Sequence, residues 1–227
     1  MVYSFGGGYF RGQDRGGYYS SYDREIVEPA KFDHRKIKLE NSPQRSVPGI
    51  GPVGEAYSSG FRVKADTLPT RVRYQDRRKP LDIDSFSALT FVSPHARDVI
   101  EQIEPGIHQF EPIEYRRSDG EHVADMFMLF VCRRLDTVDR THTNMLLSPY
   151  YWASVKSVLR RSPELVPPDA DIDAPSHMVF SLGRIGDAHL WHDIHIANSE
   201  FASDALVDAI NEAGLTGFAG SRKEAVP

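Results

Sequence analysis

At 227 residues, 40% hydrophobic and 26% charged, the chain has the size and make-up of one large globular domain or two small ones, which excludes wholesale disorder. Cys132 is the only cysteine, so no internal disulfide forms, and the longest apolar run, residues 126–132, falls far short of the roughly 20 residues a membrane-spanning helix needs. The net charge of −5 is uneven: residues 1–90 carry 15 Lys/Arg against 11 Asp/Glu, and residues 91–227 carry 12 against 21, an acidic balance that repels nucleic acid and favours basic partners.

The N-terminus, MVYSFGGGYF, has neither the basic start nor the apolar stretch of a secretory leader, so a soluble, cytoplasmic protein is expected. Residues 2–5 read as a short strand, followed by a loop rich in Gly, Tyr, Ser and Arg. Interleaved Arg and Tyr can stack on single-stranded nucleic acid, but Asp14, Asp23, Glu25 and Glu28 dilute the charge, which favours a plain loop. Residues 41–60 hold Pro43, Pro48, Pro52 and four glycines, too much punctuation for a long element. Residues 61–63 and 72–74 alternate as short edge strands split by Pro69.

From Leu89 the pattern sharpens. Residues 89–92 (LTFV) predict a strand, and Ser93 then Pro94 are a helix N-cap and first helical position. Ala96, Val99, Ile100 and Ile103 follow at helical spacing until Pro105-Gly106. Residues 107–115 and 124–135 predict an antiparallel pair around the turn Ser118-Asp119-Gly120, the first at a sheet edge because Pro112 interrupts it. A weaker helix falls within residues 150–159, and a proline-rich exposed loop at 161–175. Residues 178–182 and 190–196 read as strands. A helix then presents Ala202, Ala205, Leu206, Ala209 and Ile210, closed by Gly214 at C′ with Leu215 behind it, and residues from Gly220 read as a frayed tail.

Two segments resemble the Imm11 family (also called DUF1629), immunity proteins of bacterial polymorphic toxin systems. The first runs through Ser93, Asp98, Val99, Ile100, Glu104-Pro105-Gly106, His108, Gln109 and Phe110 to Pro112. The second holds His189-Leu190-Trp191, Ser199 and the closing Glu212-Ala213-Gly214-Leu215-Thr216-Gly217-Phe218, with Phe130-Val131-Cys132 and Leu135-Asp136 between the two. The resemblance covers about residues 89–219. It implies a protein that binds and neutralises a cognate toxin domain, often a nuclease, and it supplies no catalytic, cofactor-binding or metal-binding residue.

The residues themselves offer a competing chemistry. His189, His192 and His195 stand three apart beside Asp193, a donor set that suits zinc. On a strand, however, His192 faces away from the other two, which lie about 20 Å apart at roughly 3.3 Å per residue. A small metal-dependent or hydrolytic enzyme built around His189 or His195 is therefore the alternative, with nucleic-acid binding by the Arg/Tyr-rich N-terminus as a third reading. Cys132 lies in an apolar run, where a thiol is inert. For contact with a partner protein the candidates are the acidic helix positions Glu101, Glu104, Asp204, Asp208 and Glu212 and the aromatic residues Trp152 and Trp191, with Tyr150 and Tyr151 beside them. The expected architecture is α+β, with short mixed or antiparallel sheets packed with a few short helices. A loop-rich part spans 1–88, a core spans 89–219 and a tail spans 220–227. The expected function is stoichiometric binding without cofactor, nucleic acid or membrane.

Overall fold

The computed structural model of the protein describes residues 1–6, 24–41, 56–148, 151–196 and 198–227. Along the chain run β1 (Val2–Phe5), β2 (Arg24–Glu28), β3 (Arg71–Tyr74), β4 (Ile83–Phe86), β5 (Leu89–Val92), α1 (Pro94–Ile103), β6 (Gln109–Arg116), β7 (His122–Phe130), β8 (Arg134–Leu135), β9 (Leu146–Leu147), β10 (Trp152–Ala153), α2 (Val155–Arg161), β11 (Val179–Ser181), α3 (Leu182–Ile185), β12 (Leu190–Asp193), β13 (Glu200–Ser203), α4 (Asp204–Glu212) and β14 (Arg222–Val226). The fold is α+β. One mixed sheet has the order β11-β14-β1-β13-β12-β8, a second has the order β2-β3-β6-β7-β5-β4, and β9 and β10 form a small pair.

Alternation along the strands divides the interior into three layers. Val72, Phe91, Tyr115 and Met128 point to the outer side of the second sheet, where Val63 and Leu68 cover them. Val2, Phe180, Trp191 and Phe201 fill the outer side of the first sheet. Between the sheets Phe5, Leu190 and Ala202 meet Ile83, Val92 and Leu129, and α1 and α4 close this middle layer with Ala96 and Ile100, and with Leu206, Val207 and Ile210. The two helices pack side by side. All four α-helices among the described residues start on a serine (Ser93, Ser154, Ser181 and Ser203) whose hydroxyl accepts a backbone N–H three residues on, a cap worth about 1 kcal/mol.

Several expectations change. β6 is interior, not at an edge: Glu114 N–H reaches Thr70 of the β3 side, and β3 pairs only from Glu114 onward, so Pro112 lies on that side beyond the end of β3, where no strand calls for its missing N–H. Residues 61–63 give only a single bridge, Leu39 to Val63, and Arg71–Tyr74 is an interior strand. The apolar run 124–135 is not one strand. It leaves the second sheet after Phe130 and enters the first at Arg134, where β8 pairs parallel to β12. A strand absent from the sequence reading, β13, precedes α4. The supposed tail forms β14, inserted between β11 and β1, because its backbone completes both ladders. The glycine-rich loop of residues 7–23, the punctuated segment 42–55 and Tyr150 lie outside the described residues.

The closing segment after α4 obeys local rules throughout. Gly214, at φ +64°, donates to Asn211 O, and Leu215 N–H reaches Ile210 O, the paired bonds of a Schellman cap. Thr216 donates both its N–H (2.9 Å) and its hydroxyl (2.7 Å) to Asp82, which also accepts from the Ser93 hydroxyl (2.8 Å), so one carboxylate ties the start of α1 to the end of α4. Gly217, at φ +92°, passes so close to β4 that a Cβ would collide with the Ile83 carbonyl oxygen and stand 2.8 Å from Leu81 Cβ. Gly217→Ala is therefore expected to destabilise by at least about 2 kcal/mol, since both backbone conformation and contact are violated. Gly214→Ala, with open space around it, costs only about 1 kcal/mol for the left-handed conformation. Urea denaturation midpoints of the two variants measure the ranking, and equal losses would refute it.

Candidate functional site

The predicted contact residues separate into an accessible set and a buried one. On α1 and α4 the apolar stripes face inward, which leaves Asp98, Asp208 and Glu212 exposed, with Glu101 and Asp204 half-buried at the same outer layer. Arg97 answers one of these charges: it pairs with Asp98 at 2.6 Å and lies over the Phe127 ring. Asp204 pairs with the Met1 amino group, and Glu101 accepts the Gly106 N–H at 3.1 Å. Asp208 and Glu212 are left pointing into solvent. The asset of this face is an excess of negative charge on two packed helices.

Glu104 does not belong to that layer. It caps the end of α1 at 3% exposure and faces inward. His108 Nε2 lies 2.5 Å from its carboxylate, the His189 backbone N–H donates at 2.6 Å, and Arg133 approaches to 3.5 Å. His108 Nδ1 accepts the Cys132 N–H at 3.1 Å, so its proton sits on Nε2, aimed at Glu104. Burial alone would raise the Glu104 pKa, but His108, His189 N–H and Arg133 outweigh it and hold the carboxyl below its ordinary value. Trp191 is likewise withdrawn: it is fully buried, with Nε1 donating to Thr137 Oγ1 at 3.3 Å. Trp152 is half-buried on β10, and Tyr151 beside it is 42% exposed.

The histidine run also resolves into separate duties. Extended chain ends at Asp193, whose carboxylate takes Thr137 N–H and hydroxyl (both 2.7 Å) and the His195 N–H (2.8 Å). His189 Nδ1 meets the Ser203 hydroxyl at 2.8 Å. No group of three or more His, Cys, Asp or Glu side chains gathers in metal-binding geometry among the described residues. Burial pushes the Cys132 thiol up to about 11, which keeps it protonated near neutrality.

Sequence reasoning missed one concave site. A cavity of about 410 Å³ opens between the two sheets, walled by Phe5, Leu89 and Leu129 and floored by His192 and Glu200. His192 and Glu200 are direct cross-strand partners on β12 and β13, so their side chains share a face. His192 Nδ1 faces the Ser199 carbonyl at 3.0 Å and therefore carries the proton, while Nε2 is buried without a hydrogen-bond partner. Burial drives the imidazole down to about 4 and the Glu200 carboxyl up to about 8, so both are mainly neutral at pH 7. No periodicity in the sequence links Glu200 to the histidines, and only the pairing of β12 with β13 exposes the relation.

The fold is an α+β scaffold that carries a layer of acidic side chains on two packed helices. The chain belongs to the immunity protein family Imm11: the family model matches residues 18–221, which takes in much of the N-terminal part that its short motifs do not reach. Membership gives it a toxin-immunity role. No curated protein matches the chain. No helix among the described residues is long and apolar enough to cross a membrane.

The Glu104 node yields a stability prediction. Glu104→Ala leaves His108, the His189 N–H and Arg133 without their common acceptor and is expected to cost about 3–5 kcal/mol, with Glu104→Gln losing less. Because the folded carboxyl lies below its ordinary value near 4.5, its contribution is complete above that pH and disappears as pH falls through the folded value. Urea titrations between pH 7 and 3 should show wild type converging on Glu104→Gln at the acid end; a constant gap would contradict the assignment.

Proposed function

We propose that the protein binds the toxic domain of a bacterial polymorphic toxin, made by the same cell or a kin competitor, and neutralises it in the cytoplasm by stoichiometric occlusion without turnover. The carrying observation is the acidic outer layer of α1 and α4, made of Asp98, Glu101, Asp204, Asp208 and Glu212, with Arg97 paired to Asp98 and the Met1 amino group to Asp204. A nuclease must present a basic cleft to hold its polyanionic substrate. Carboxylates spaced along two packed helices take the place of phosphates there and accelerate encounter through long-range attraction.

A second contact region is favoured by apolar exposure. Tyr151, Leu159, Leu165 and Ile172 all stand exposed between residues 151 and 172, and Trp152 adds a half-buried indole. Aromatic and aliphatic anchors of this kind supply most binding energy at interfaces, while the charged layer governs rate and orientation.

Co-expression with the toxic domain encoded beside it should restore growth, and the two chains should co-purify one to one. Continued death despite abundant folded protein would remove the proposal. Asp208→Lys with Glu212→Lys should slow association about tenfold or more at low salt, the deficit shrinking as salt rises. Leu159→Asp should act instead on dissociation. An association rate that ignores the charge reversal moves the interface off the helices.

A further inference from the structure

The interior cavity is not needed for binding through an outer face, yet it is built as a site. Two acceptors, the His192 imidazole and the Glu200 carboxyl, share its floor. His192, 2% exposed, turns the bare Nε2 into the space, and Glu200 Oε1 stands 3.7 Å away, too far for a hydrogen bond between them. Among the described residues no hydrogen bond reaches the Glu200 carboxyl, and no lysine or arginine lines the cavity. Buried polar groups are almost always paired, so the open His192 Nε2 beside a carboxyl group marks a place where a donor is missing.

The surroundings support the same conclusion. The Ser58, Ser85 and Thr90 hydroxyls line the cavity as well, Ser58 donating to Asn198 Oδ1 at 2.8 Å and Ser85 meeting Thr90 at 3.4 Å. The backbone around the rim is held in costly conformations. Ser87 and Ala88 turn the β4–β5 hairpin with φ of 51° and 64°, and Asn198 sits at 55°. Non-glycine residues in the left-handed region persist where surrounding structure fixes them, and such strain concentrates at binding sites.

We infer that this cavity receives a single organic cation, a guanidinium or primary ammonium group, which donates simultaneously to the Glu200 carboxylate and His192 Nε2, with its alkyl stem against Phe5 and Leu129. A planar guanidinium suits the floor best, because its divergent N–H groups reach two acceptors a few ångströms apart. The cation arrives either as a free small amine or as a basic side chain of a partner protein.

Binding is coupled to protons in a defined direction. The cation requires ionised Glu200, and burial holds that carboxyl at about 8, so occupancy at pH 7 expels about one proton. Among the described residues the other titratable or charged groups near the floor are Tyr57 on the cavity wall, Arg134 across from His192 on β8 and His108 beyond it. Arg134 is committed to the Ser59 carbonyl and the Phe61 ring, and His192 titrates at about 4, outside the window.

Calorimetry with methylguanidinium and with acetyl-Gly-Arg-Gly-amide, in buffers of different ionisation enthalpy, tests the inference. Expected are release of about one proton at pH 7 and an affinity that rises about tenfold per pH unit below 8 and levels off above it. Tighter binding of the peptide identifies a partner's side chain as the source, and exclusion of the peptide with retention of methylguanidinium identifies a small amine. Glu200→Gln, which mimics the neutral native group and should melt no lower than wild type, is expected to lose binding by at least 30-fold. No binding of either probe at 10 mM, no proton release, or unchanged affinity in Glu200→Gln would overturn it.

Discussion

The Glu104 carboxylate is the constraint on which the rest of the molecule depends. The chain passes from one sheet to the other through residues 131–133, a connection too short to carry a core of its own. Glu104 and His108 fix that passage from the side: His108 accepts the Cys132 N–H, Arg133 leans on Glu104, and the Arg133 carbonyl receives the His192 N–H at 2.8 Å. The same carboxylate holds the His189 N–H at the entry to β12. One buried charge thus sets the end of α1, the sheet crossover and the start of the strand that floors the cavity. Leaving such a charge without its donors is costly, which makes the arrangement specific as well as stable.

Two further carboxylates repeat this logic. Asp82 joins the first turn of α1 to the closing segment of α4 through Ser93 and Thr216. Asp193 joins β12 to Thr137, whose hydroxyl in turn holds the Trp191 indole. Strands of four residues bury little area each, and neighbours distant in sequence are secured by side-chain acceptors placed at their ends. The acidic composition of residues 91–227 is consequently divided between two uses: some carboxylates face solvent on the helices, and others act as interior ties.

What was legible in the sequence was local. Serine at the N-cap, apolar residues at helical spacing and glycine at C′ located α1 and α4 because each rule concerns residues within one or two turns. The hairpin of β6 and β7 followed from its turn and alternation. The errors all concern relations across long separations. Pro112 looked like an edge residue because the sequence does not show where β3 stops. Glu104 reads as solvated because it falls on the polar side of the predicted helix, and nothing in the sequence brings Arg133 or the His189 N–H to it. β13 and β14 are polar and short, and became strands only through partners elsewhere. The cavity floor joins His192 to Glu200 across a ladder that no periodicity announces.

β1 pairs with β13, Val2 standing opposite Ser203, and with β14 on its other side. Its hydrogen-bonding edges therefore have no native partner until some two hundred further residues have left the ribosome, on the order of 10–40 s at bacterial elongation rates. Throughout that interval a short apolar ribbon waits exposed, and the sheet that carries the cavity floor cannot close. The feature becomes one of timing: shelter for the cell begins at the completion of the nascent polypeptide's last ladder, well after its first helices have formed.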